Sequence, residues 1–177
     1  GRVILFMSDG EFQIGQTWEA IQAMAFHKID NVLVYVDVNG FQCDGAMDKV
    51  MNIEPLDKRL EAFGCRVLRM NGHDIEKLAA TGDLAPDGRP LVVLCDTDAC
   101  RDLDTLKSRM PKMHYVRFTS PEEKSRYAQA LTELSCAQSP LTPPSPLRGE
   151  DKGLKKATGP EILSRVHAKN LVQWAAK

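Results

Sequence analysis

Asn31-Val32-Leu33-Val34-Tyr35-Val36-Asp37-Val38 is a run of mainly β-branched, apolar residues with no alternation before Asp37. A strand with one wet face alternates apolar and polar side chains, whereas a strand covered on both faces does not. The run therefore predicts an interior strand of a parallel sheet held between two helix layers. Outward from it, Val3 to Met7, Arg66 to Met70 and Leu91 to Cys95 have the same character, and helical patterns lie near Gln16 to Lys28, Pro55 to Phe63 and His73 to Ala80. This βαβ rhythm predicts an α/β fold, a three-layer αβα sandwich with a mainly parallel sheet. In the first helix Trp18, Ile21, Ala25 and Ile29 share a stripe suited to covering the sheet. A further helix is expected from Pro121 to Leu134, with Ser120 as N-cap, Pro121 at the first helical position and Glu123 completing a capping box.

At 177 residues the chain has room for one domain, or one and part of another. With 43% hydrophobic and 27% charged residues it can bury a substantial core, which excludes disorder throughout. Lys and Arg number 23 against 24 Asp and Glu, a net charge of -1, so there is no basic excess for a nucleic-acid backbone. No apolar run approaches the roughly 18 residues of a membrane span. The five cysteines, Cys43, Cys65, Cys95, Cys100 and Cys136, are odd in number and contain no CxxC pair, which argues against a disulfide framework or a zinc cage and for a cytoplasmic setting. The expected organisation is a domain over 1–136, a linker over 137–158 and a helix over 159–177. The linker rests on Pro140, Pro143, Pro144 and Pro146, and the helix on Ile162, Val166, Leu171 and Trp174. Because the chain opens at Gly1, almost inside a strand, an upstream part is expected to be missing.

The chemistry concentrates in Ser8 to Thr17, after the first strand, where parallel α/β sheets place their ligands. One reading is a phosphate-binding loop, since Gly10 to Thr17 has the form G-x-x-x-x-G-Q-T, although Gln16 stands where that motif needs Lys. Another pairs Asp9 with Asn39, thirty residues on, each just beyond a buried strand. One carboxylate, one amide oxygen and a carbonyl from the following turn make a partial oxygen shell of the kind Mg²⁺ completes with phosphate oxygens. Gly10 and Gly40 would let backbone amides approach those phosphates. The plainest reading is that Asp-Gly and Asn-Gly are turn dipeptides.

Asp9-Gly10-Glu11, Trp18-Glu19-Ala20, Asp30-Asn31 and Val36-Asp37-Val38-Asn39-Gly40-Phe41-Gln42-Cys43-Asp44-Gly45 together resemble the thiamine-diphosphate motif of the transketolase family. Glu54-Pro55-Leu56, Glu61-Ala62-Phe63-Gly64 and Asn71-Gly72-His73-Asp74 extend the resemblance, which is dense from Val3 to Asp74 and thinner beyond. It implies the thiamine-diphosphate-binding fold and transfer of a two-carbon ketol unit between sugar phosphates or related carbonyl compounds. It also implies that Asp9 and Asn39 give side-chain oxygens to Mg²⁺, or to Ca²⁺ or Mn²⁺ in its place. Phe41 would add its carbonyl, Gly10 would meet the diphosphate through its amide, and His114 would stand near the diphosphate and substrate as the candidate catalytic residue.

The departures carry their own implications. Ser8 replaces the first glycine of the family's triplet. Ile14 falls where many members carry a glutamate linking the two active sites of a dimer. Asp98-Ala99-Cys100-Arg101-Asp102-Leu103 replaces a glycine- and lysine-containing segment, so substrate-side contacts are expected to differ. The glutamate that activates the aminopyrimidine belongs to the pyrimidine-binding domain of the family, and no residue here takes that role. Residues 1–177 are therefore expected to need a pyrimidine-binding domain or subunit, in a dimer of the complete enzyme, and to be inactive alone. Val166 to Trp174 resembles the entry into that domain. Two other readings stand beside this one: a thiamine-dependent carbonyl transferase with an unusual substrate, and a non-catalytic subunit or remnant.

Overall fold

The computed structural model describes residues 1–110, 113–114 and 117–137. The expected linker, apart from Ala137, and the expected helix at 159–177 lie outside the described residues. In chain order the elements are β1 (Val3–Ser8), a 3-10 turn (Asp9–Gln13), α1 (Gly15–Phe26), β2 (Val32–Val38), β3 (Phe41–Gln42), β4 (Gly45–Ala46), α2 (Met47–Val50), α3 (Leu56–Ala62), β5 (Arg66–Asn71), α4 (Ile75–Thr81), β6 (Leu91–Asp96), α5 (Asp104–Lys107) and α6 (Pro121–Ala137). Among them no helix is long and apolar enough to cross a membrane.

Four strands form a parallel sheet in the order β1-β2-β6-β5, and β3 and β4 form a separate antiparallel hairpin. The register sets Ser8 beside Asp37, Asp37 beside Cys95 and Val38 beside Asp96, which aligns the carboxyl ends of β1, β2 and β6 along one rim. Strand side chains alternate between faces, so the unalternating β2 run supplies both. Val34, Val36, Val92 and Leu94 pack with Phe12, Ile21, Leu56 and Leu60 on the face of α1 and α3. Leu33, Tyr35, Leu91, Val93 and Cys95 pack with Leu78 of α4 on the other. These are the three layers that the sequence predicts.

A third, smaller cluster of Cys100, Leu106 and Met113 takes in Phe41, Leu103 and Tyr127 and so roots the hairpin in the segment after β6. The N-cap of α6 differs in detail from the expected box. Ser120 Oγ accepts from Glu123 N at 3.2 Å as expected, but Glu123 Oε2 accepts from Thr119 N at 2.7 Å rather than from the cap's own amide. The Glu123 carboxylate also pairs with Arg109, an ion pair that pulls it past the cap.

Candidate functional site

Asp9 begins where β1 ends, and its side chain turns inward. It is 1% exposed, with Oδ1 accepting from Gly10 N and Oδ2 from Gly40 N, each at 2.8 Å. The second bond reaches across to the turn after β2, which Gly40 can form because its φ is +74°. Burial raises the Asp9 pKa, the Gly40 and Gly10 amides oppose that, and the like charge of Asp37 adds to the rise. Among the described residues no Lys or Arg forms an ion pair with it. A buried carboxylate held only by amides is electrostatically incomplete, and a cation would complete it.

Asn39, half-buried on the same turn, accepts from Phe41 N through Oδ1 at 2.8 Å and donates from Nδ2 to Asp37 Oδ2 at 2.9 Å. Met47 N donates to Gly40 O at 2.8 Å, so the Phe41–Ala46 pair is of the non-hydrogen-bonded kind and the Phe41 carbonyl stays out of the ladder. The residues expected to bind a cation thus meet at one rim: a carboxylate, an amide and a carbonyl, all hard oxygens. Among the described residues no three His, Cys, Asp or Glu side chains gather as a metal cluster. A single-carboxylate set suits a Mg²⁺ that draws its remaining ligands from phosphate and water. A Cβ at Gly10 would come no nearer than 3.6 Å to Gln42, so packing does not demand glycine there, and its small size leaves room for a ligand.

The Gly10 amide, which the resemblance directs at the diphosphate, is donated here to the carboxylate of its neighbour Asp9. His114 is exposed, while its neighbour Met113 is buried and meets Cys100 at 3.3 Å between sulfurs. Glu11 accepts from Ser8 N at 2.8 Å and from Ser8 Oγ at 3.2 Å, and so serves to close the loop, while Glu19 is exposed on α1. Phe12, 2% exposed, fills the middle of the loop against Trp18. Ile14 is 54% exposed. The sequence reading missed Asp37 and Thr97, although the i, i+2 spacing of Asp37 and Asn39 at a strand end was a signal for the first.

Fold and rim together define an α/β protein with an oxygen-donor loop at the carboxyl ends of parallel strands. The family model for the transketolase thiamine diphosphate binding domain matches residues 2–100, and the chain belongs to this family. This sets aside the nucleotide-loop reading of Gly10 to Thr17. The transketolase family protein y4mO of Sinorhizobium fredii is 40% identical over 127 residues, covering 70% of this chain and 44% of that protein. An apulose-4-phosphate transketolase subunit of Actinobacillus succinogenes is 32% identical over 64% of this chain and 41% of its own length. The 6-deoxy-6-sulfo-D-fructose transketolase subunit SqwG of a Clostridium species is 29% identical, covering 74% and 48%. The chain thus spans about half the length of these relatives. In fold it is similar to transketolase from Campylobacter jejuni, with a TM-score of 0.53 at 22% identity over 78% of this chain and 26% of that one.

Proposed function

We propose that this chain supplies the diphosphate and Mg²⁺ end of a transketolase-type enzyme, which transfers a two-carbon ketol unit between sugar phosphates or similar anionic carbonyl compounds. The observation that carries the proposal is the Asp9–Gly40 bond, which ties the end of β1 to the Asn39 turn and sets one buried carboxylate beside one amide. Thiamine diphosphate, when bound, provides the carbon nucleophile and electron sink for this chemistry. Asp9, Asn39 and the Phe41 carbonyl would hold the Mg²⁺, and the Gly10 amide would turn from Asp9 to a diphosphate oxygen. The exposed His114 follows the cluster that roots Phe41, and its proposed role is that of a catalytic residue near the diphosphate and substrate.

The pyrimidine-binding half would come from a partner chain or from another part of a longer protein. Two of the relatives are themselves named as subunits, which supports a divided enzyme. Their names specify apulose 4-phosphate and a sulfo-sugar, both ending in an anion, and this supports a substrate of the same kind. The segment 98–103, anchored by buried Cys100, is where an altered substrate preference would arise.

Calorimetric titration of thiamine diphosphate into the complete assembly, with and without Mg²⁺, tests the reading. Asp9→Asn and Asn39→Ala should each weaken the Mg²⁺-dependent binding, and Gln16→Ala should not. Unchanged affinity in both site variants would overturn the assignment. Residues 1–177 alone should give little Mg²⁺-dependent thermal shift and no turnover; ketol transfer by this chain alone would show the catalytic carboxylate to be misplaced.

A further inference from the structure

An asparagine amide offers an oxygen at one end and an NH₂ at the other, and the two ends have nearly the same shape. Only the oxygen can face a cation. Whether Asn39 serves as a ligand therefore depends on what fixes its orientation. We propose that Asp37 is a positioning residue, clamped by Thr97 against Gly72, which takes the NH₂ end of Asn39 and, with the Phe41 amide on one lone pair of Oδ1, holds the oxygen with its other lone pair open to the cation. This rests on the metal reading above.

The geometry runs across three strand ends. Asn39 Nδ2 donates to Asp37 Oδ2 at 2.9 Å, and an ionised carboxylate only accepts, so it pairs with the NH₂ end and rejects the oxygen. The other carboxylate oxygen, Oδ1, accepts from Thr97 Oγ1, so Asp37 is held at both oxygens. Thr97 follows β6, and its amide donates to Val38 O at 3.1 Å, which ties it to the end of β2. Its methyl lies where Gly72 has no side chain: a Cβ on Gly72 would fall 2.5 Å from Thr97 Cγ2, 3.0 Å from Cys95 Cβ and 3.2 Å from Asp96 O. With the methyl packed on that side, the hydroxyl is directed at Asp37. Outer partners of this kind orient metal ligands, and their loss weakens metal affinity by about 10- to 100-fold.

Mn²⁺ titration of the complete assembly with thiamine diphosphate, followed by electron paramagnetic resonance, separates this proposal from the reading beneath it. Asn39→Ala with unchanged Mn²⁺ affinity would sink the reading itself. If Asn39→Ala weakens Mn²⁺, Asp37→Ala should weaken it by about 10- to 100-fold and Thr97→Val by about tenfold. Thr97→Val keeps the shape and the Asp37 charge, so its loss of affinity reports orientation rather than field, and Thr97→Ser, which keeps the hydroxyl, should stay near wild type. A Thr97→Val protein with wild-type Mn²⁺ affinity would overturn the proposal. A second readout needs no metal. With ¹⁵N-asparagine in this chain, the Asn39 side-chain NH₂ should exchange slowly with solvent and lose that protection in Asp37→Ala; unchanged exchange would also overturn it.

Discussion

Strands β1 and β6 are six residues each, Val-Ile-Leu-Phe-Met-Ser and Leu-Val-Val-Leu-Cys-Asp, yet they sit in opposite surroundings. Val93 and Leu94 are fully buried, with β2 and β5 on either side. Val3, Ile4, Leu5 and Phe6 are 40 to 54% exposed, and β2 is the strand hydrogen-bonded to β1. On the α4 side the Phe6 ring stacks on Tyr35, with centroids 5.5 Å apart, which gives β1 part of its cover. The difference teaches that an unalternating apolar run reports the surroundings a strand suits, while its place in the strand order decides how far the described residues provide them. An exposed apolar edge also offers unpaired backbone groups to another chain.

Charge should break the comparison most sharply. Val93→Lys would bury an unpaired ammonium and cost more than about 4 kcal/mol, enough to prevent folding. Leu5→Lys should fold, with a midpoint in urea close to wild type and less self-association in sedimentation. Truncation comes next: Leu94→Ala is expected to cost about 2–5 kcal/mol and Leu5→Ala about 1 kcal/mol, measured by urea unfolding. Equal costs would show that β1 is covered in solution.

Gly72→Ala sharpens the comparison at the rim. Its Cβ has no space beside Thr97 and Cys95, so a loss of about 1–3 kcal/mol is expected, whereas Gly15→Ala, with nothing within 4 Å, should be nearly neutral. The smallest effect at neutral pH belongs to the thiols. Burial pushes Cys95 up to about 12 and Cys65 up to about 11. Since these folded values lie above the ordinary 9.0, the thiols' contribution is complete below pH 9 and is lost as pH rises through 11 to 12. Mass spectrometry after alkylation at pH 8 should find Cys43 and an introduced Leu5→Cys modified, with Cys65 and Cys95 protected until unfolding.

The layers were legible because β2 and β6 are apolar at every core position, and the rim because Asp9 and Asn39 each follow such a run. Helix α1 was only partly so: Ile21 is buried, but Trp18 and Ala25 are half-buried, Phe26 is 80% exposed, and Ile29 falls past the helix end. Phe12, from the preceding turn, takes a core position that the stripe alone could not reveal. The clamp on Asn39 was hidden for a topological reason. Thr97 meets Asp37 because β6 inserts between β2 and β5, and no local pattern encodes strand order across sixty residues. The non-hydrogen-bonded Phe41–Ala46 pair was likewise invisible, since a one-residue slip would have spent the Phe41 carbonyl in the ladder.

The footing of Phe41 bears on any attempt to re-engineer this protein. Its ring packs on the cluster of Cys100, Leu106 and Met113, which Leu103 and Tyr127 also join, so the backbone carbonyl proposed to meet the cation rests on the same segment proposed to tune substrate preference. Swapping 98–114 for the counterpart in a relative would change two things at once, the proposed substrate contacts and the seat of the proposed backbone ligand. Under the proposed function, a transplant that carries the hairpin and its apolar socket as one cassette should keep Mg²⁺-dependent cofactor binding, while a loop-only graft should lose it before it gains a new substrate.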